Sequence, residues 1–350
     1  MSRQRFVLLL AAAFLAICAA LYLNTRRNLD SVTPGARLFP SLAQELNTVT
    51  ELNVVKGGKT PLVTIRKQGE QWTVAQRNNY PADVAKLRKL LLALSDAKIR
   101  EEKTANPASY PIIGVEDPSL AGATGAQIDL VAQDGMHGVI VGKPVGEGSF
   151  VRRTGEKISY IVEPGISFEA EPRYWIDTRL LDLPTDKIQS IEVKPTSGPG
   201  YAVRLTAPDA PSAKAGAVAA KFALEPVPPT RIAAESQILA PSPTAFGNLS
   251  PDDVAQAGDI DFNKPSVATV TLLDGSLITV TGTVVGEKHW IQVTAPKDTA
   301  LTAKAGGRAF EIAGYRYDAI FRPLEQLLVP LPPPPEKKLA APSKPAPKHP

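Results

Sequence analysis

Three histidines, His137, His289 and His349, and a single cysteine, Cys18, are the only side chains of their kinds in these 350 residues. A histidine-based metal site or a Ser-His-Asp arrangement needs several such groups converging, and these are far apart in the chain. Gly165-Ile166-Ser167-Phe168-Glu169 lacks the second glycine of a nucleophile elbow. Gly138 to Lys143 is one residue short of a phosphate-binding loop, and Pro144 stands where Ser or Thr would hold magnesium. Asp259-Ile260-Asp261-Phe262-Asn263 opens like a calcium loop, but Lys264 takes the glycine position and Val270 the final glutamate position. Paired acids such as Glu169 with Glu171, or Asp252 with Asp253, lack a second converging group. The expectation is a non-enzymatic protein without metal or cofactor.

Charge argues against a nucleic-acid partner. The chain carries +4 overall, but residues 1–37 hold +4 and residues 336–350 hold +3, which leaves about −3 for the body. A fold that binds phosphate backbones should carry the basic excess on itself.

The elements that would position any site follow from the apolar pattern. Phe6 to Leu23 runs 18 residues without a charge or proline, at the short end of what spans a bilayer. It predicts an N-terminal transmembrane anchor within residues 1–27, with a cleaved signal peptide as the other reading. Ile17 before Cys18 argues against lipidation. Arg3 and Arg5 on one side and Arg26 and Arg27 on the other nearly balance, and the short leading segment tips the body outside.

Residues 28–45 read as a polar spacer. Leu52 and Val54, then Leu62, Val63 and Ile65, then Trp72 and Val74 alternate as three short strands. A helix begins near Ala82-Asp83 with Val84, Leu87, Leu90, Leu91 and Leu94 as its apolar face. Strands resume from Ala126 through Val162, and Gly165 to Trp175 reads as helical.

The second half echoes the first. Val49 to Val54 matches Ile188 to Val193, and Asp134, Gly135, Gly142, Val145, Gly146 and Glu147 equal Asp274, Gly275, Gly282, Val285, Gly286 and Glu287. The pattern predicts an α+β, β-rich fold of two tandem repeated modules, residues 46–184 and 185–329. A long loop is expected near 207–218, a weaker helix around Arg231 to Leu239, and a proline-rich tail over 330–350. Trp72 and Trp290, each after a Gly-Glu turn, are expected to pack in the core. Arg173, Tyr174, Trp175 and Arg179 recur as Arg316, Tyr317, Phe321 and Arg322. They are expected to line the seam between modules or to form a binding surface.

Lys103-Thr104-Ala105-Asn106-Pro107-Ala108-Ser109-Tyr110, Gly114-Val115-Glu116-Asp117-Pro118, Tyr80-Pro81-Ala82-Asp83 and Val141-Gly142-Lys143 together resemble the bacterial family called domain of unknown function 4340. The resemblance covers most of residues 40–330 and includes the anchor. It implies an inner-membrane, single-pass envelope protein with its body in the periplasm, often encoded beside gliding-motility-type ABC transporter components. It carries no catalytic residues. The function expected is therefore an accessory or scaffold protein of an ABC-type transport or envelope complex. The alternative is an envelope module that binds a glycan or lipid in a cleft between the repeats.

Overall fold

The computed structural model describes residues 14–17, 34–206 and 221–331. The chain forms two compact units. The first comprises Met1–Leu180, Ser250–Ile260 and Gly307–Glu311; the second comprises Leu181–Leu249, Asp261–Gly306 and Ile312–Pro350.

In the first unit a short helix α1 (Leu42–Glu45) precedes β1 (Glu51–Val55), β2 (Pro61–Gln68), β3 (Gln71–Val74) and β4 (Tyr80–Pro81). Helix α2 (Val84–Asp96) and β5 (Lys98–Glu102) follow, then α3 (Tyr110–Ile113). Four more strands complete the run: β6 (Ala126–Ala132), β7 (Gly135–Val145), β8 (Gly148–Arg153) and β9 (Ser159–Glu163). The strands pair in the order β4-β3-β2-β1-β6-β7-β8-β9-β5. Period-2 alternation sets the register: Leu52 lies opposite Ile65 and Leu130, and Val54 opposite Val63 and Ile128. All six are buried. The β2–β3 hairpin turns at Gly69, whose φ of +61° suits a residue without Cβ.

The segment resembling the family motif packs on this sheet. Tyr110, Val115 and Ile140 form one buried cluster with Ile113 and Phe150 against it. The Arg152 guanidinium lies 4.7 Å from the Tyr110 ring and donates from Nε to Val115 O at 2.9 Å. The approach is so close that a Cβ on Gly142 would stand 2.2 Å from Ile113 O. Glu116 Oε1 accepts from Thr124 N at 2.7 Å and closes the loop on itself.

The second unit contains β10 (Ile188–Lys194), β11 (Tyr201–Thr206) and β12 (Lys221–Glu225). The late strand β13 (Asp253–Gln256) is followed by β14 (Ser266–Leu272), β15 (Leu277–Val285) and β16 (Lys288–Thr294) of the second unit. Its strands pair as β12-β11-β10-β14-β15-β16, the order that β3-β2-β1-β6-β7-β8 follows in the first. Its helices are short: α4 (Ser236–Leu239), α5 (Pro241–Thr244), α6 (Thr299–Ala305) and α7 (Gly314–Ile320).

Strand β13 and β17 (Arg308–Ile312) pair antiparallel from Asp253–Glu311 to Gln256–Arg308. These paired residues belong to the first unit. Arg77 holds β13 there: its Nε and Nη2 donate to the two carboxylate oxygens of Asp253, the second bond at 3.1 Å. Arg308 donates to Asn78 O at 3.0 Å, and the Tyr80 and Phe310 rings meet edge to face at 5.6 Å.

The expected membrane-spanning helix is not supported: among the described residues no helix is long and apolar enough to cross a membrane. Of Phe6 to Leu23 only 14–17 are described, as one helical turn. The rest of that run, the loop expected at 207–218 and residues 332–350 of the tail lie outside the described residues. Gly165 to Trp175 is extended chain ending in a single 3-10 turn, Pro172–Trp175, because the prolines deny it a helical ladder. The helix expected over Arg231 to Leu239 shrinks to α4, with Pro241 opening the next turn.

The Arg77–Asp253 pair is about four-fifths buried on both sides, with side-chain exposures of 21% and 17%. Asp253→Asn or Arg77→Met should therefore lower the stability of the first unit by about 2 kcal/mol, the worth of a charged hydrogen bond. Denaturant unfolding followed through the buried Trp175 should read this; an unchanged midpoint would remove the pair as the tether of β13.

Candidate functional site

Helix α2 starts where its sequence says it should. The Asp83 carboxylate accepts from Ala85 N at 3.0 Å and Lys86 N at 3.2 Å, a side-chain N-cap. Six large apolar side chains then fall within 13 residues: Val84, Leu87, Leu90, Leu91, Leu92 and Leu94. One stripe of a helix can face one core, and that stripe is Leu87, Leu90 and Leu94, all buried. Val84 and Leu92 are left 47% and 45% exposed, with Leu91 half-buried between them. Val84 thus leaves the buried face expected for it.

These surplus residues form one side of a groove of about 360 Å3. The opposite side is Lys67 and Trp72, cross-strand partners on β2 and β3, with Leu46, Asn47 and Val49 at the end. Trp72 is half-buried and lines this groove, whereas Trp290 is buried as expected. The charges lining it are Lys67 and Arg88; no carboxylate does, and among the described residues neither cation has an ion-pair partner. The site therefore sets apolar side chains beside two cations.

The segment that precedes Leu46 was expected as polar spacer. Leu38, Phe39 and Leu42 are buried. Leu38 N donates to Ala97 O at 2.7 Å, and Arg153 Nε donates to Leu38 O at 2.8 Å. Glu45 closes the segment: its Oε2 lies 2.7 Å from His137 Nε2, and the His137 ring meets Phe39 edge-on at 5.3 Å. The Glu45 carboxyl is held below its ordinary value, first by a Ser41 hydrogen bond and next by His137.

The sequence-selected aromatic and arginine residues fall into separate units and act locally. In the first, Trp175 is buried, donates to Glu169 O at 2.9 Å and meets Tyr174 at 5.1 Å. Lys86 Nζ lies over the Tyr174 ring and donates to Tyr174 O at 2.7 Å. Arg173 is exposed, and Arg179 pairs with Asp177 at 3.1 Å. In the second unit, Tyr317 and Phe321 cover Gly282, where a Cβ would stand 2.3 Å from the Phe321 ring. Arg316 donates to Gly247 O at 3.1 Å and Arg322 to Ile238 O at 3.2 Å.

Among the described residues no three His, Cys, Asp or Glu side chains are grouped to hold a metal ion. Lys143 of the loop that approaches a phosphate motif donates to Ile112 O at 2.8 Å. The groove itself was missed from sequence, although one signal was present: a helix with too many leucines for a single face.

Fold and site together define a β-rich, two-unit protein with a groove on the first unit. The family described as domain of unknown function (DUF4340) matches residues 72–261, more than half of the chain, and the chain belongs to that family. No curated protein and no solved structure matches it.

The Glu45–His137 contact carries a pH dependence. A depressed carboxyl value stabilises the fold above its unfolded value near 4.5, and that contribution is lost as pH falls through the lower folded value. Hydrogen-exchange protection of residues 42–49 should fall as the pH drops below 4.5. In His137→Ala the fall should be smaller and complete at a higher pH, and identical profiles would refute the assignment.

Proposed function

We propose that this protein works by binding, not catalysis, as an accessory component of a transport assembly in the bacterial envelope. The observation that carries the binding half is the α2 groove: the exposed or half-buried side chains of Val84, Leu91 and Leu92 beside the cations Lys67 and Arg88, neither of which has an ion-pair partner among the described residues. Small-ligand sites are concave and mostly apolar, with a few polar groups that fix orientation. The accessory half follows from the family resemblance and from the absence of transferable catalytic residues in it.

A photoreactive phenylalanine at position 92, introduced in living cells, tests the site. An adduct formed from position 92 and absent from the exposed position Glu70 is expected, with the captured species, protein or lipid, read by mass. Equal labelling from both positions, or none from either, would overturn the binding site. Lysine crosslinking of intact cells that returns no transport or envelope protein would remove the accessory assignment.

A further inference from the structure

We infer that the α2 groove takes a single-chain amphiphile with an anionic head, an acyl carboxylate or its like, an inference that rests on the binding reading above. Size is the first argument. From Val84 to Leu92 the helical side of the groove extends eight residues, roughly 12 Å, the reach of a medium-length acyl chain. The volume of about 360 Å3 lies at the low end of small-ligand sites.

Lining chemistry is the second argument. Leu46, Val49, Val84, Leu91 and Leu92 contribute apolar side chains, and Trp72 adds a ring whose indole N–H can donate to a head group. The charged residues that line it, Lys67 and Arg88, are both positive, with no carboxylate partner among the described residues. Lys67 stands directly across from Trp72 in the β2–β3 ladder, so a cation lies beside the apolar floor. An uncharged chain would leave both cations unused, and a cationic amphiphile would meet like charge. An anionic head with its tail along α2 satisfies both.

The groove also supplies its own reporter. Trp175 is 1% exposed and Trp290 7%, whereas Trp72 is half-buried and lines the groove. A ligand seated there changes Trp72 emission and leaves the other two insulated.

Full-length protein is titrated with sodium laurate below its micelle concentration, by calorimetry and by tryptophan fluorescence, with dodecyltrimethylammonium as the charge-reversed probe. One saturable laurate site is expected, with the cationic probe at least tenfold weaker. Affinity should rise about two- to fourfold per methylene from octanoate to laurate. Leu92→Asp, and separately the double variant Lys67→Glu with Arg88→Glu, should weaken laurate about tenfold or more. These positions line an open groove, so an unchanged melting temperature serves to exclude misfolding. In Trp72→Phe the fluorescence response should vanish while calorimetric binding persists.

Absent saturation, equal affinity for both head charges, or full affinity in folded Leu92→Asp would overturn the assignment. If position 92 crosslinks to a protein while laurate fails to bind, the groove is a binding site for a polypeptide. That result refutes the amphiphile and leaves the proposed function standing; silence in both experiments refutes both.

Discussion

A helix can press only one stripe of its surface into one core, and α2 carries more apolar surface than that stripe holds. Leu87, Leu90 and Leu94 occupy the buried face. The excess at Val84, Leu91 and Leu92 lines the groove instead. Ordinary surface positions would be filled with charge or small polar groups at little cost to helix stability. Leucine there lowers solubility and adds no core contact, so the arrangement makes physical sense where something else covers the face. The remaining walls fit the same geometry. Trp72 and Lys67 face each other because β2 and β3 form a tight hairpin, and Leu46 and Val49 arrive because the 34–49 segment is tied down through Leu38 and Glu45.

Comparing the two units sharpens this. Their central strands pair in one order, β3-β2-β1-β6-β7-β8 in the first and β12-β11-β10-β14-β15-β16 in the second. The helical part differs. Between β4 and β5 runs a 13-residue helix with a side-chain cap. Between β12 and β13 the described helices are two turns of four residues, and Pro241 and Pro243 lie within the second. Proline removes a backbone donor and clashes with the preceding turn, so no long amphipathic face forms there. The groove is a property of the first unit's helix, not of the shared strand order.

Much of the sheet was legible in the sequence, because alternation with period 2 leaves a direct trace. Leu52, Val54, Val63, Ile65 and Val74 sit in strands where the pattern puts them. The start of α2 was equally plain from Asp83. The failures have physical causes. Gly165 to Trp175 has apolar spacing that suits a helix, but the prolines at 164 and 172 bracket it and the chain stays extended. The membrane span over Phe6 to Leu23 was read from composition alone and gained no support among the described residues. Leu38, Phe39 and Leu42 were invisible as core, because a short buried stretch without regular period resembles a linker. The groove was hidden for another reason. A binary pattern records which residues are apolar but not which of them find a partner, and Val84 was assigned to the buried face on spacing alone.

The division of labour inside the groove follows from magnitudes. Lys67 is half-buried and Arg88 exposed; charge pairs this close to water are worth about 1 kcal/mol or less and weaken as salt screens them. Apolar contact contributes about 25 cal/mol for each Å2 removed from water, so the leucine and tryptophan floor supplies most of any affinity. The cations decide which end of a ligand points where and which head charge is excluded.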